Sequence, residues 1–175
     1  MSIFSVKDEC GGTNDTLLDK LIYIERVSAA RMNFIYGAGV SVIDAYNEMM
    51  YVKESYGQDF GKGYYHYIFS PEDDEEIDAE SFYEMGAYMA ECIAHFYGHY
   101  QVMVSLHFDT DMHMHFIANN IDIDTGKRMD LGKQELRALK NSLNEILQRY
   151  NVSPIRMYYP INILENHEEV IDYAE

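Results

Sequence analysis

The alternation of hydrophobic and polar positions predicts a chain of helices and strands. Helices are predicted over residues 15–34, 42–56, 78–96 and 134–150, where apolar residues recur at the three- and four-residue spacing of a helix face. Thr13 or Asn14 is placed to cap the first helix, and residues 36–39, with two glycines, are placed to end it. Glycines 57, 61 and 63 mark the loop after the second helix.

Strands are predicted between these helices. Residues 64–70 form an aromatic run stopped by Pro71, and residues 102–107 and 113–121 are two apolar runs separated by a short acidic turn. Residues 155–163, interrupted by Pro160, indicate an edge strand. Together the segments predict an α+β fold in which a central antiparallel sheet is covered by helices on one side. We expect a single domain over residues 1–175, with flexible ends at residues 1–14 and 165–175.

Three histidines give the chain its most informative chemical pattern. His113 and His115 alternate along a strand, so their side chains leave the same face with Cα atoms roughly 6 to 7 Å apart. Antiparallel pairing of the two strands brings His107 beside them as a third nitrogen ligand. Isolated histidines are more often ordinary surface or core residues, but three within nine positions favour a metal site. Three protein ligands leave coordination positions open, which suits catalysis.

Composition and charge restrict the expected core, the cellular compartment and the binding partners. The chain has 175 residues, 47% of them hydrophobic, and two cysteines, which predicts one core without a disulfide framework. No secretory signal or membrane-spanning run is found, so we expect a cytoplasmic protein without a membrane partner. The net charge of −17 disfavours nucleic acid and favours cations and basic partners. The acids concentrate at residues 72–80 and 165–175, whereas basic residues follow the His-x-His strand: Lys127, Arg128, Lys133, Arg137 and Lys140.

Three segments resemble the motifs of the MobA/MobL branch of plasmid mobilisation relaxases, within the His-hydrophobic-His (HUH) endonucleases. Leu21-Ile-Tyr23-Ile is similar to the first motif, a tyrosine in an apolar helix. Gly63-Tyr-Tyr-His66-Tyr-Ile-Phe-Ser70 is similar to the second, an aromatic strand with a histidine and a later serine. His107-Phe-Asp109-Thr-Asp-Met-His113-Met-His115, continued to Asn119 and by Asp124-Thr-Gly-Lys127, is similar to the third, the metal-binding motif.

The resemblance implies an HUH relaxase-like fold and metal-dependent nicking and rejoining of single-stranded DNA at the transfer origin of a mobile element. Tyr23 is then the nucleophile that forms a 5′-phosphotyrosine, and Asp109 orients a histidine or assists deprotonation. Other tyrosines, Tyr36, Tyr64 and Tyr65, are the alternatives. The implied site further consists of a divalent Mg²⁺ or Mn²⁺ ion held by His107, His113 and His115, with His66, Ser70, Lys127 and Arg128 at the DNA. The implied partners are transfer-origin DNA and an accessory DNA-binding protein of the relaxosome.

Departures from the family pattern keep a second hypothesis open. The spacing from His107 to His113 is one residue shorter than expected, Glu25-Arg-Val-Ser follows the tyrosine motif, and the chain is acidic. The alternative is a non-catalytic relaxase-like domain that binds metal or a basic protein through an acidic surface. A nuclease requires Tyr23 beside the histidines, with Lys127 and Arg128 on the same rim. A binding domain predicts that Tyr23 is buried.

Overall fold

The computed structural model describes residues 1–7, 13–28, 34–108 and 111–157. Within them, five strands form a single antiparallel sheet in the order β1-β3-β5-β4-β2. The α+β class predicted from the sequence is confirmed. The elements follow one another as β1 (Ile3–Val6), α1 (Asn14–Ser28), β2 (Ile35–Ala38), α2 (Ala45–Ser55), β3 (Tyr64–Ser70), α3 (Ala79–His95), β4 (Val102–His107), β5 (His113–Asn119) and α4 (Lys133–Arg149).

The centre of the sheet is the β4–β5 hairpin, which pairs as the histidine pattern predicted. Its register places His107 opposite His113 and Val102 opposite Ala118. β3 lies on the other side of β5 and pairs Ile68 with His115. The histidine strand is therefore hydrogen-bonded along both edges, which makes it a rigid platform.

The helices cover both faces of the sheet, so the prediction of helices on one side was wrong. On one face, Met114, Phe116 and Ala118 of β5 join the larger core beneath α3 and α4. On the other face, Ile117 joins a smaller core made with α1 and α2. Both of those helices carry an apolar stripe of their own, and burying it requires the second face of the sheet.

The two edge strands were missed by the sequence pattern. Residues 36–39 were expected to end the first helix, but β2 pairs with β4 instead. Residues 3–6 lie in a segment expected to be a flexible end, and they form β1 against β3. Each edge strand has four residues, too few to show a clear alternation.

The predicted strand over residues 155–163 is represented in the described residues only by a parallel bridge between Ile155 and Ser2. Residues 158–163, and the predicted flexible end at 165–175, lie outside the described part of the chain. Across the described ranges, none of the helices has the length and apolar character needed to cross a membrane.

Candidate metal centre

The β4–β5 hairpin brings three histidines together on the sheet face that α1 covers. One ring nitrogen from each of His107, His113 and His115 can be chosen so that all three lie within 4.8 Å of one another. The ring centroids of His107 and His115 are 4.4 Å apart, and His113 lies 5.0 Å from each of them. His107 and His115 are buried, whereas His113 is partly exposed. The shorter spacing before His113 therefore does not displace His107 from the cluster.

A hydrogen bond orients each of the three rings. His107 donates from Nε2 to the carbonyl oxygen of Ile24 (3.1 Å), and His113 donates from Nδ1 to that of Asp111 (2.7 Å). The Nδ1 of His115 lies 2.7 Å from the Nε2 of His66. Metal-binding histidines commonly use one nitrogen for such a bond, which fixes the ring and leaves the other nitrogen for the ion.

The remaining nitrogen of His115 shows that this donor set fits a metal. His115 Nε2 is buried and has no hydrogen-bond partner among the described residues, a costly state for a polar atom. Burial, aided by the charge of His107, lowers the pKa of His115 to about 2, and burial likewise lowers that of His66 to about 4. Both rings are thus neutral at pH 7, the form in which imidazole binds metals. A divalent ion would give the unpaired nitrogen a partner.

Tyr23 lies beside the cluster and is accessible to solvent. Its ring centroid is 6.0 Å from that of His107 and 5.8 Å from that of His115, and 48% of the residue is exposed. Helix α1 holds it there because the neighbouring Ile24 is buried and its carbonyl oxygen accepts hydrogen bonds from both Ser105 Oγ and His107 Nε2. The helix is therefore fixed directly to the histidine strands.

The alternative tyrosines have other contacts. Tyr36 donates its hydroxyl to Glu91, Tyr65 donates to the carbonyl oxygen of Met129, and Tyr64 is buried. Of these four tyrosines, Tyr23 is the one that lies both beside the histidines and in solvent.

Of the other residues expected at the site, some lie near the histidines and others do not. His66 is buried and its Nε2 lies 2.7 Å from His115 Nδ1, so it contacts a histidine of the candidate metal cluster. Ser70 ends β3 directly after Phe69, which pairs with Met114, so it lies at the same end of the sheet as His113. Asp109 lies outside the described residues.

Lys127 and Arg128 are not brought to the histidine rim. They follow β5 beyond Asn119, and at about 3.3 Å per residue that strand carries the chain roughly 20 Å from His113. The Arg128 guanidinium donates to the side chain and carbonyl oxygen of Gln58 and to the carbonyl oxygens of Phe60 and Lys62. Arg128 therefore ties down the loop between α2 and β3.

Two other cations lie near the histidines and were not singled out from the sequence. The Lys20 Nζ is 5.5 Å from the centroid of the Tyr23 ring. The backbone N–H of Lys7 donates to the carbonyl oxygen of His66 (3.1 Å). A usable signal existed for Lys20, because a residue three positions before Tyr23 shares its helix face. Lys7 gave no such signal, since it follows the strand β1 that the pattern did not reveal.

A sheet that carries a three-histidine cluster, with an exposed tyrosine beside it, is the arrangement expected of a relaxase from the sequence motifs. The chain belongs to the relaxase family of the MobA/VirD2-like nuclease domain, whose family model matches residues 23–152. The resemblance drawn from the sequence motifs is thereby confirmed. Protein rlx of Staphylococcus aureus is 33% identical over 103 residues, which are 58% of this chain and 30% of that protein. The chain thus matches less than a third of the length of this curated relative.

Solved structures show the same fold. A structure of the MobM relaxase domain with Mn, bound to plasmid pMV158 oriT DNA, superposes with a TM-score of 0.66 at 16% identity, covering 98% of this chain and 96% of that one. A second Mn-bound structure of that domain with oriT DNA gives a TM-score of 0.63 at 15% identity, covering 98% and 97%.

Proposed function

We propose that this protein nicks and rejoins single-stranded DNA at a transfer origin, with Tyr23 as the nucleophile. The observation that carries the proposal is the half-exposed Tyr23 ring about 6 Å from two rings of a cluster suited to metal binding. Membership of the relaxase nuclease family and the likeness to a domain crystallised with oriT DNA support the same activity.

The reaction follows from a tyrosine hydroxyl placed beside a phosphodiester. Tyr23 Oη attacks the phosphorus, an O–P bond forms, and the bond from phosphorus to the 3′ oxygen breaks. The products are a 5′-phosphotyrosine and a 3′ oxygen that takes up a proton. The phenol proton passes to a base, a role for which Asp109 remains the prediction. Because the phosphotyrosine ester keeps the energy of the broken bond, attack by a 3′ hydroxyl rejoins the strand and releases Tyr23.

His107, His113 and His115 would hold the divalent ion. When bound, the ion supplies positive charge that neutralises the phosphate as the fifth bond to phosphorus forms. We infer a preference for Mn²⁺ over Mg²⁺, because Mg²⁺ favours oxygen ligands and a fully hydrated octahedron, whereas imidazole suits later divalent metals. The Mn-bound MobM structures support this choice.

The proposed partners are single-stranded transfer-origin DNA and an accessory DNA-binding protein. Affinity for DNA rests largely on neutralising phosphates, and a chain of net charge −17 supplies little of it. Lys127 and Arg128, moreover, lie away from the histidines. A second protein that holds the duplex near the nick would provide what this domain lacks.

The structure favours the nuclease over the non-catalytic alternative. A binding domain was expected to bury Tyr23, and the residue is 48% exposed. The histidine cluster is also open on one side, since His113 is partly exposed. Substrate can therefore reach both groups that the reaction needs.

The test is a cleavage assay on oligonucleotides tiled across the candidate transfer origin of the element that encodes the protein. Purified protein is incubated with Mn²⁺ or Mg²⁺, and products are resolved on a denaturing gel. Tyr23→Phe removes the hydroxyl and keeps the ring packed against His107 and His115. Tyr51→Phe is the matched control, because Tyr51 is 72% exposed on α2 and makes no contact with the histidines in the described structure.

The expected result is cleavage at one site, with protein attached to the 5′ end, that Tyr23→Phe abolishes and Tyr51→Phe preserves. Cleavage by Tyr23→Phe would move the nucleophile to another tyrosine. Absence of any protein-linked product, while calorimetry shows a bound ion and an accessory protein has been supplied, would overturn the proposal in favour of the non-catalytic domain.

A further inference from the structure

Helix α1 presents a cation on the same side as Tyr23. Lys20 precedes Tyr23 by three residues, so the two side chains are neighbours on the helix surface. The Lys20 Nζ lies 5.5 Å from the centre of the Tyr23 ring, and the residue is partly buried. The ammonium group therefore lies beside the ring that carries the attacking hydroxyl.

The ammonium group of Lys20 has capacity left for a ligand. The ion pairs formed by the described residues are Met1 with Glu72, His95 with Glu91 and His99 with Asp124, and none includes Lys20. Contact with the Tyr23 ring uses the positive charge but none of the three N–H donors as a hydrogen bond. An anion beside Tyr23 would find these donors available.

Lys20 and the histidine cluster are both neighbours of the Tyr23 ring. The Lys20 Nζ is 5.5 Å from the centroid of that ring, and the ring centroids of His107 and His115 are 6.0 and 5.8 Å from it. A phosphate attacked by Tyr23 would therefore lie close to the Lys20 ammonium group as well as to the histidines.

We propose that Lys20 binds a non-bridging oxygen of the phosphate that Tyr23 attacks and offsets the negative charge that grows there as the new O–P bond forms. The inference rests on the proposed nuclease function and adds a substrate-contacting residue to it. An ammonium group is a compact point charge suited to phosphate. Lys20 supplies this charge locally in a protein whose net charge is −17.

The experiment compares two substitutions of Lys20 with a matched control. Lys20→Met removes the charge and keeps an unbranched, helix-forming stem, whereas Lys20→Arg keeps the charge. Lys133→Met removes one charge from the exposed first residue of α4, which packs on the opposite face of the sheet. Circular dichroism melting establishes that all three variants fold.

Two readouts are measured on the oligonucleotide that the parent protein cuts. The first is the single-turnover nicking rate with Mn²⁺ at saturating DNA. The second is equilibrium binding in EDTA, by fluorescence anisotropy, to that oligonucleotide and to a copy whose attacked phosphate is replaced by an uncharged methylphosphonate. The binding readout is independent of metal and of catalysis.

Lys20→Met is expected to lower the nicking rate about 10- to 100-fold, as loss of a hydrogen bond to a charged group predicts. Lys20→Arg should recover most of that loss, and Lys133→Met should match the parent. In EDTA, Lys20→Met should weaken binding of the natural oligonucleotide several-fold and leave binding of the methylphosphonate copy unchanged.

Parent-like nicking by Lys20→Met, or an equal loss of affinity for both oligonucleotides, would overturn the Lys20 assignment while the nuclease function stands. A parent protein that cuts none of the tiled oligonucleotides, with an ion bound and an accessory protein supplied, would overturn the nuclease function, and the assignment with it. The two failures are therefore distinguishable.

Discussion

Replacing His66 by phenylalanine should weaken metal binding, although His66 is not itself one of the three proposed ligands. Its Nε2 lies 2.7 Å from the Nδ1 of His115, and both residues are buried. If His115 uses Nε2 for the ion, its Nδ1 carries the proton and donates it to His66 Nε2. Phenylalanine keeps an aromatic ring that stacks beside His115 but removes this acceptor. The His115 ring then loses the bond that fixes its orientation and its tautomer.

The expected loss of metal affinity follows from the hydrogen bond between His66 and His115. Loss of a hydrogen bond that orients a metal-binding histidine costs about 10- to 100-fold in metal affinity, or about 1.4 to 2.8 kcal/mol. The folded state also retains a buried N–H without a partner, which costs about 1 to 3 kcal/mol in the absence of metal. His66→Gln offers a new acceptor and should lose less affinity than His66→Phe.

The assay is calorimetric titration of Mn²⁺ at pH 7, where both imidazoles are neutral because their pKa values, about 4 for His66 and about 2 for His115, lie well below that pH. His95→Phe is the control, because His95 is an exposed histidine on α3 that contacts Glu91 and His99. The reasoning is refuted if His66→Phe binds Mn²⁺ within twofold of the parent, or if His95→Phe loses as much affinity.

Three further predictions concern the loops at the opposite end of the sheet. Arg128→Ala should lower the free energy of unfolding by about 2 kcal/mol, because it leaves carbonyl oxygens of Phe60 and Gln58 without a donor; a urea titration that shows no change would contradict the structural role. Burial, aided by Arg128, lowers the pKa of Lys53 from 10.5 to about 8. At pH values between these two pKa values, the unfolded chain binds more protons than the folded protein. The free energy of unfolding, relative to that of Lys53→Met, should therefore rise by about 2 kcal/mol from pH 7.5 to 9.5. A difference between the two proteins that does not change with pH would refute this. Gly126→Ala should cost about 1 to 3 kcal/mol in thermal unfolding, because Gly126 has φ +69° and an added Cβ would meet the Tyr56 ring; Mn²⁺ affinity should not change.

The sequence predicted the metal cluster well because a strand converts spacing directly into geometry. His113 and His115 share a face wherever the segment is extended, and the apolar residues between them specify which face is the core. Pairing of the two strands then places His107 on the same face of the sheet as His113 and His115. Tyr23 required the family resemblance in addition, because its helix lies far from the histidines in sequence.

The positions of His66, Lys127 and Arg128 relative to the cluster could not be predicted, because they depend on contacts that a local sequence pattern does not contain. The support of His115 by His66 arises from the register of β3 against β5, which the spacing within either strand does not encode. Lys127 and Arg128 follow the histidine strand in sequence, but a strand carries its two ends apart, so the following residues lie far from its beginning. Nearness along the chain was a poor guide to nearness at the site.

The acidity of the chain and its proposed DNA site are reconciled by where the charges lie. Electrostatic interactions at physiological ionic strength are largely screened beyond about 8 Å, so the nearest groups decide the field at Tyr23. Part of the acidic segment at residues 72–80 is already engaged, since Glu72 pairs with the amino terminus and Glu75 accepts a hydrogen bond from Ser153. The positive charges of Lys20 and Lys7, by contrast, both help to lower the pKa of the buried His66. Two lysines near the histidines supply too little positive charge to hold a long strand, which is why the proposed function includes a second DNA-binding protein.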